Sequence, residues 1–445
     1  MEIIQQTIQS VSDFVCGYPL FTWLIGGGLF LFIYSGAVPI RCFRRAIHSL
    51  RIVRQGEGQI SSFQALMSAI SATVGLGSIA GVTIAIGLGG PGAVFWMWVS
   101  ALVGMGTKFF EGTLAIMYKG RDNRGEVQGG PMYVITQGIG PKWKPLAIFF
   151  SLVGMVGCFC VMQANQLTEA IITMFTDPMG IPNTVALRTV IGVVIGILVA
   201  CVVLGGIRRI SKIATKIVPS MVGLYFLIVL YIIITNIGQI PGVFMSIVQG
   251  AFNLKAGFGS LAGIAIIGAR RAMYVNEAGV GTASLMHGAS RNSEPVREGL
   301  VAMLGPAIDS GLVCTLTAIP IILAGNYHVE GVKGLMIALA SFNTLIPGIG
   351  AYLLMLMVLF FAFSTMFSYS YYGMKCSGYL FGMQNAKYYN YLYLLMIVVS
   401  CIISLKTVVT VMDLAFALMS IPTMFSLLRL SPRVKRTLND YLRKN

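Results

Sequence analysis

The chain has 445 residues, of which 56% are hydrophobic and 10% are charged, and its mean hydropathy is +0.82. Soluble globular proteins carry about 25% charged residues, so this chain cannot cover its surface with polar groups. The composition excludes a soluble enzyme and indicates a polytopic membrane protein whose partner is the lipid bilayer. The net charge of +16 would suggest a nucleic-acid partner in a soluble protein. Here its cause is the distribution of basic residues among the loops, and no nucleic acid is expected.

The chain contains eight cysteines and three histidines. Most of the cysteines lie inside apolar runs and none belongs to a CxxC pair, so neither a zinc site nor a disulfide framework is expected. No Ser–His pair, His-rich tract or pair of carboxylates occurs at helical spacing. The protein is therefore not expected to be an enzyme or to need a cofactor, and nothing in the sequence indicates an obligate protein partner.

A membrane-spanning helix needs about 20 mostly apolar residues, and eleven segments of the chain meet this requirement. They lie near residues 20–40, 62–88, 92–118, 146–172, 185–205, 213–236, 258–280, 297–324, 349–373, 388–405 and 408–428. Turn-forming sequences such as GGPG at 89–92 separate them. The predicted fold is an all-α polytopic membrane domain that covers residues 1–445 and ends in a cytoplasmic tail at 429–445.

Basic residues are concentrated in alternate loops between these spans. One set of loops includes Arg41, Arg44, Arg45, Arg51, Arg54, Lys119, Arg121, Arg124, Arg208, Arg209, Lys212, Lys387, Arg429 and Arg433. The opposite loops hold Arg188, Lys255, Lys333 and Lys406. Because Lys and Arg are retained on the cytoplasmic side, this pattern predicts an outer N-terminus and a cytoplasmic C-terminus in the plasma (cytoplasmic) membrane.

Glycine and small polar residues interrupt the second span at 71–81 (SATVGLGSIAG). Three glycines within seven residues cost about 1 kcal/mol each relative to alanine in a helix, which predicts an unwound midpoint. The seventh span carries a similar run at 257–263 (GFGSLAG). Paired interruptions of this kind indicate the binding site of a secondary transporter. Close packing between helices is the alternative explanation for each run.

The two interrupted spans each open a set of five spans. Five is an odd number, so the sets at 61–236 and 257–428 have opposite orientations and form a 5+5 inverted repeat, with the span at 20–40 as an extra first helix. Broken helices present free amides to a carboxylate and free carbonyls to a cation. The amides of Leu76 and Gly77 are therefore candidates for binding a carboxylate, and the carbonyls of Thr73 and Val74 are candidates for binding a cation.

Several motifs resemble those of the sodium:alanine (alanine or glycine:cation) symporter family, which belongs to the amino acid–polyamine–organocation superfamily. The most specific is GGPGAVFWMWVSALVG at 89–104. Further similar segments lie at 107–111, 129–133, 163–165, 276–281, 295–306 and 368–373. The resemblance covers about residues 55 to 430 and implies a LeuT-like fold preceded by one extra helix.

This resemblance also implies where the substrate and sodium bind. The substrate would lie between the two interruptions, at Thr73, Gly75, Leu76, Gly77, Ser78, Gly259, Ser260, Ala262 and Gly263, with Gln163 and Tyr369 closing the pocket. Sodium would be bound by the hydroxyls of Ser364 and Thr365 and by the carbonyls of Ser71, Val74 and Phe361. The alternative for the two hydroxyls is a hydrogen bond to the preceding helical turn.

The chain also departs from the family pattern within the inferred pocket. It has Leu76-Gly77-Ser78 where the family usually has Thr-Gly-Asn, and Tyr369 where the family usually has Trp. The 74–77 run (VGLG) looks like the neurotransmitter:sodium symporter version of the same break, and the run at 257–263 lacks the family's usual double glycine. These departures favour some small neutral amino acid as substrate without specifying alanine.

Charged residues inside the spans are functional candidates, because each costs at least about 2.5–3.5 kcal/mol at the bilayer centre. Lys108 and Glu111 are three residues apart and can neutralise each other on one helix face. Asp309 and Asp413 have no evident local partner, so either could couple transport to protons or ions. The alternative for Asp309, which follows Gly305 and Pro306, is that it satisfies a kinked helix. Glu277, close in sequence to Arg270 and Arg271, is expected in an inner gate or packing network, and His287 is expected to be solvated.

Together these features predict a sodium-coupled symporter that imports a small neutral amino acid, most simply alanine or glycine, by alternating access. Two alternatives remain. A proton-coupled or uncoupled carrier would use Asp309 or Asp413. A channel or a ligand sensor on the same scaffold would bind its ligand without accumulating it.

Overall fold

The computed structural model describes residues 15–50, 56–252, 258–328 and 334–444, which are almost entirely helical. The helices before the first short strand are α1 (Tyr18–Tyr34), α2 (Val38–Arg41), α3 (Phe43–Ser49), α4 (Ser62–Thr73), α5 (Gly77–Gly89) and α6 (Gly92–Met117). A two-stranded antiparallel sheet follows, formed by β1 (Gly120–Arg121) and β2 (Val127–Gln128).

The remaining helices begin with a short one that continues as a π-helical turn, Val134–Ile139. They are α7 (Pro131–Tyr133), α8 (Lys144–Gly157), α9 (Val161–Ile171), α10 (Val185–Val203), α11 (Gly206–Thr235), α12 (Ile240–Ala251), α13 (Phe258–Asn276), α14 (Thr282–His287), α15 (Pro295–Ala324), α16 (Leu335–Leu345), α17 (Gly350–Phe381), α18 (Ala386–Ile402) and α19 (Leu405–Lys444).

The described helices confirm the prediction of a multi-pass membrane protein. Seven described segments are long and apolar enough to cross a bilayer, with α8 and α9 counted together as Pro141–Thr176, and the bent pair α4 and α5 makes an eighth. The shorter helices α1 and α18 lie at the predicted spans 20–40 and 388–405. The total of eleven spans and their division into two sets of five stay predictions.

Two features of the fold differ from the sequence prediction. Helices α12 and α16 lie between predicted spans, where loops were expected. In addition, α19 continues as a helix to Lys444, where the sequence predicted no helix beyond 428, and the assignment of 429–445 as a cytoplasmic tail stays a prediction. The far end of α19 packs against other elements, with the Arg433 guanidinium donating to the Gly138 carbonyl at 2.9 Å and to the Tyr118 hydroxyl at 2.7 Å.

The helices fall into an inner and an outer group. In the most apolar stretch of α6, 72% of the residues are buried inside the protein. In the most apolar stretch of α10, only 22% of the residues are buried. Helix α6 packs along α13, α14 and α15, and α10 packs along α18. The inner helices are thus shielded from lipid by their neighbours and can carry polar side chains that a lipid-facing helix cannot.

The basic loops gather at one end of the molecule, as the alternating charge pattern predicts. An open cavity of about 910 Å³ lies there, and its lining includes Arg121, Arg124, Arg208 and Lys387. A second cavity of about 490 Å³ is lined by Glu169 and Arg188. Arg51, Arg54, Lys255 and Lys333 lie outside the described residues, as does the side chain of Lys406. Which end faces the cytoplasm stays a prediction.

Candidate functional site

The first helix break lies where the glycine-rich run predicted it. Helix α4 ends at Thr73, and Val74 leaves the helical conformation with φ −76° and ψ 77°. Helix α5 resumes at Gly77 with its axis bent by 54° from that of α4. The prediction of an interrupted second span is therefore confirmed.

The first break packs against the middle of α17. The Ser71 hydroxyl donates to the Ser364 carbonyl at 2.7 Å. A Cβ atom on Gly75 would overlap the Thr365 hydroxyl, so the chain approaches α17 more closely than any residue with a side chain would allow. The structure thus brings all five residues of the predicted sodium site to the same place, with Val74 in the break and Phe361 one turn before Thr365.

The two hydroxyls on α17 also show the alternative that the sequence left open. Ser364 and Thr365 both donate to the Phe361 carbonyl, at 3.0 and 2.9 Å. This is the hydrogen bond to the preceding helical turn. It occupies the hydroxyl protons but not the lone pairs of the hydroxyl oxygens, so the two interpretations are compatible.

The second helix break is not where the sequence prediction placed it. Helix α13 runs without interruption from Phe258 to Asn276, so the predicted run is not unwound at 258–263, and Gly257 lies outside the described residues. The chain instead breaks at 277–281, where Glu277, Gly279 and Gly281 have φ values of +51°, +85° and +99°. Small residues in α13 serve close packing, as at Gly268, where a Cβ would collide with the Ala93 carbonyl.

The second break is built around the buried carboxylate of Glu277. The hydroxyls of Tyr369 on α17 and Thr282 on α14 both donate to it. The amide of Gly279 donates to Glu111 Oε1 at 2.6 Å. Glu277 was expected near Arg270, but Arg270 pairs with Asp413 at 2.7 Å. A glutamate in the left-handed region costs about 1–2 kcal/mol, and the two hydroxyl donors hold it there.

The two breaks meet along one face of α17. Thr365 contacts the first break and Tyr369 contacts the second, and these residues are four apart on a continuous helix. Positions four apart on an α-helix lie on the same face, about one turn or 5–6 Å from each other. The sequence predicted that two helix breaks would lie side by side. In the structure the break beside the first one is at 277–281 and not in the predicted glycine-rich run.

The structure separates the other residues of the predicted substrate site. Thr73, Leu76 and Ser78 are buried at the first break, and a Cβ on Gly77 would enter open space. The Gln163 side chain is buried, and its Oε1 atom has no hydrogen-bond partner among the described residues. Gly259, Ser260, Ala262 and Gly263 lie in the uninterrupted α13, and the side chains of the first two lie outside the described residues.

Three carboxylates and one ammonium group are buried around the breaks. The Lys108 ammonium lies 4.0 Å from Glu111, which confirms the predicted pairing on α6. The same ammonium lies close enough to Glu277 and Asp309 to interact with both charges. All three carboxylates are fully buried. Their shared surroundings were not evident from the sequence, because they come from helices α6 and α15 and from the second break.

The basic end of the molecule holds a buried cluster that the sequence did not predict. His287 was expected to be solvated, but it is buried and its Nδ1 atom lies 2.7 Å from Glu298. Glu298 also accepts hydrogen bonds from Ser62, Ser290 and Asn292.

Backbone hydrogen bonds join the residues just before α4 to the segment between α14 and α15. The amides of Gln59 and Ile60 donate to the Ala289 carbonyl at 2.8 and 3.2 Å, and the Arg291 amide donates to the Ile60 carbonyl at 2.7 Å. The Lys119 ammonium donates to the Ser290 carbonyl at 2.6 Å. Its burial lowers the Lys119 pKa, although Glu298 and Glu57 act in the opposite direction. The start of α4 is therefore tied to the segment between α14 and α15.

Comparisons with known proteins agree with this architecture. The fold is similar to that in a crystal structure of MhsT in complex with L-phenylalanine, with a TM-score of 0.59, 14% identity, and coverage of 86% of this chain and 98% of that chain. At this identity the similarity bears on the fold alone, and it confirms the LeuT-like fold implied by the motifs.

Sequence relatives extend over nearly the whole chain. The sodium/alanine symporter AgcS of Methanococcus maripaludis is 38% identical over 95% of this chain and 94% of its own length. The probable sodium/glutamine symporter GlnT of Bacillus subtilis is 31% identical over 100% of this chain and 92% of its own length. The profile of the sodium:alanine symporter family matches residues 1–445. This chain therefore belongs to the sodium:alanine symporter family.

Proposed function

We propose that the protein is a sodium-coupled symporter that imports a small neutral amino acid, alanine or glycine in the simplest case, by alternating access around its two broken helices. The observation that carries this proposal is the meeting of both breaks on one face of α17, at Thr365 and Tyr369. Family membership supports an amino acid and a cation as the transported species. The proposal includes eleven spans, the 5+5 inverted repeat and a cytoplasmic C-terminus.

The substrate site in this proposal lies between the breaks at 74–76 and 277–281. The amide of Gly77 begins a helix beside open space, so it can receive a carboxylate at a positive helix end. Thr73, Gly75, Leu76 and Ser78 surround that position, with Tyr369 on the opposite side and Gln163 contributing its free amide oxygen. The corrected second break removes Gly259, Ser260, Ala262 and Gly263 from this site.

The sodium site in this proposal is formed by oxygens on both sides of the first break. Small hard cations prefer oxygen ligands. The carbonyls of Ser71, Val74 and Phe361 and the hydroxyls of Ser364 and Thr365 form such a set. Binding sodium here would hold α4 against α17 and so link ion binding to the geometry of the break.

Sodium provides enough free energy for concentrative uptake. One Na⁺ moving down about 100 mV releases about 2.3 kcal/mol, and a tenfold concentration gradient adds about 1.4 kcal/mol. The total of roughly 3.7 kcal/mol would sustain a several-hundredfold gradient of a neutral solute.

The first test is uptake of radiolabelled alanine into proteoliposomes under an inward sodium gradient and, in parallel, an equal potassium gradient. We expect accumulation with sodium only, and competition by unlabelled glycine. A ligand sensor would bind alanine without accumulating it, and a proton-coupled carrier would accumulate it in potassium at an acid outer pH. Either result would contradict the proposal.

Variants test the two sites separately. Thr365→Ala should raise the sodium concentration for half-maximal uptake about tenfold, whereas Thr365→Ser keeps a hydroxyl and should stay within about twofold of the parent, because one oxygen ligand is worth about 1–1.5 kcal/mol. Gln163→Ala should weaken alanine binding without changing the sodium dependence. An unchanged sodium dependence in Thr365→Ala would remove this residue from the ion site.

A further inference from the structure

The open cavity at the basic end of the molecule shares no lining residue with the proposed substrate and sodium sites. Its volume of about 910 Å³ is within the range of ligand-binding pockets. Four parts of the chain form its wall: the residues just before α4, the β1–β2 hairpin, the turn between α10 and α11, and the junction of α17 and α18. The cavity is therefore a candidate site for a ligand other than the transported species.

Basic side chains dominate the wall of this cavity. Two carboxylates also line it, but both already have partners in the protein. Glu57 pairs with Arg121 at 2.6 Å, and Glu126 accepts a hydrogen bond from the Gln59 side chain at 2.7 Å. The other basic residues of the wall, which form no ion pair among the described residues, are Arg124, Arg208, Lys375 and Lys387. The charge on the wall is thus positive and favours an anionic ligand.

Hydrogen-bond donors on α17 are buried in the same wall. The Tyr371 side chain is 1% exposed, and its hydroxyl has no hydrogen-bond partner in the described part of the chain. The Lys375 ammonium lies 5.0 Å from the centre of the Tyr371 ring and donates one of its three N–H groups to Gln128. Buried polar atoms without partners are uncommon in proteins. A tyrosine hydroxyl and an ammonium group side by side are suited to donate to the oxygens of a phosphate.

A hydrogen-bond acceptor lies in the wall as well. The Asn390 side chain is 8% exposed, and its Oδ1 atom has no hydrogen-bond partner among the described residues. Inorganic phosphate or chloride would leave this oxygen unpaired. A phosphate ester that also carries hydroxyl groups, such as the headgroup of phosphatidylglycerol, matches both the donors and this acceptor.

The rim of the cavity faces the lipid. Helix α10 belongs to the outer group and packs along α18. Leu204, in the turn after α10, lines the cavity and is exposed, as is Phe381 at the end of α17. The Lys387 ammonium lies 5.3 Å from the ring of the exposed Tyr388, a combination typical of the membrane interface. A phospholipid could place its headgroup in the cavity and its acyl chains along these outer helices.

We propose that this cavity binds the headgroup of an anionic phospholipid from the leaflet at the basic end. The phosphate accepts hydrogen bonds from Tyr371 and Lys375, Arg208 adds positive charge at the rim, and Asn390 accepts a hydrogen bond from a headgroup hydroxyl. Basic pockets between membrane helices bind acidic headgroups in this way. The inference goes beyond the proposed function and does not depend on which ion or amino acid is transported.

The test is native mass spectrometry of the delipidated full-length protein in detergent, titrated with dioleoylphosphatidylglycerol. We expect one tightly bound lipid per chain in the parent protein. Arg208→Gln should weaken this binding about fivefold, which is the contribution of one arginine near a membrane surface. The matched control is Arg436→Gln, which removes an exposed arginine of α19 outside the cavity and should leave the affinity within about twofold.

Two further variants test the inner wall. Arg208→Gln/Lys375→Met should abolish the tight binding. Tyr371→Phe removes a hydroxyl that has no partner among the described residues, so it should fold normally and weaken the binding several-fold. If the double variant does not fold, Tyr371→Phe and Arg208→Gln decide the question. Unchanged affinity in both would place the lipid elsewhere and overturn the proposal.

Other ligands distinguish a lipid from a soluble anion. Dioleoylphosphatidylcholine, titrated in the same way, should bind at least tenfold more weakly, and equal affinity would overturn the selection of an anionic headgroup. Inorganic phosphate should not displace the bound lipid at millimolar concentration. Tight binding of phosphate alone, without tight binding of the lipid, would assign the cavity to a soluble anion and overturn the proposal. None of these results bears on sodium-driven uptake, so the proposed function is tested separately.

Discussion

The two helix breaks lie against the same face of α17 but are held there by different chemistry. At the first break, glycines and hydroxyls allow the chain to approach α17 closely, and Gly75 lies directly against Thr365. At the second break, a buried glutamate in the left-handed conformation is held by hydroxyl donors from α14 and α17. The first break therefore depends on the absence of a side chain, and the second depends on the presence of a particular one.

This difference predicts that the second break is the more sensitive to side-chain loss. Glu277→Ala should reduce uptake at least 100-fold and lower the thermal stability of the protein, because it leaves two buried hydroxyl donors unpaired at about 1–3 kcal/mol each. Glu277→Gln keeps one acceptor and should retain more of both. Normal uptake and stability in Glu277→Ala would show that this carboxylate does not hold the break.

The first break should respond to an added methyl group. Gly75→Ala should cost about 1–3 kcal/mol of stability or of the closed geometry, because the new Cβ overlaps the Thr365 hydroxyl. Gly77→Ala is the matched control, since its Cβ would meet no atom within 4 Å. Thermal unfolding of both variants measures the difference in stability. Equal effects of the two variants would contradict the close approach to α17.

Tyr369 links the two breaks through α17, and its hydroxyl can be removed alone. Tyr369→Phe keeps the ring packing against Phe416 but deletes the donor to Glu277. We expect about a tenfold loss in apparent alanine affinity, corresponding to about 1.4 kcal/mol, with little change in the sodium dependence. A selective change in sodium dependence would instead connect Tyr369 to the ion site.

The smallest expected effect comes from the Arg270–Asp413 pair, which lies apart from both breaks. The guanidinium side chain is 26% exposed and the carboxylate 6% exposed, so a double-mutant cycle with Arg270→Gln and Asp413→Asn should give a coupling energy of about 1 kcal/mol. The sodium dependence of uptake should stay unchanged in each single variant. A changed sodium dependence in Asp413→Asn would connect this pair to ion coupling.

The sequence predicted the first break correctly because its signal is local. The three glycines at 75, 77 and 81 weaken one helix at one place, and intrinsic propensity is enough to indicate it. The second break was misplaced because small residues have two uses. The GFGSLAG run at 257–263 has a similar composition, but its described residues 258–263 lie in a continuous helix, whereas the glycines at 279 and 281 adopt positive φ values. Composition alone does not distinguish close packing from unwinding.

The buried polar clusters could not be predicted from the sequence, for a different reason. His287 and Glu298 are eleven residues apart and become neighbours only because the chain reverses between α14 and α15. Lys108 and Asp309 come from separate helices. Hydropathy locates spans well, since each span must be apolar by itself, but it does not specify which polar residues of different spans will share a cavity.

The bonds between the start of α4 and the segment after α14 have a mechanical consequence. Three backbone hydrogen bonds and the carboxylate of Glu298 connect these two regions. At about 0.5–1.5 kcal/mol for each neutral bond and more for a charged one, pulling them apart would cost several kcal/mol, as much as one sodium ion releases on entry. The half-helices α4 and α14 are therefore tightly coupled. We expect them to move together as one rigid body, with hinges at Val74 and Glu277.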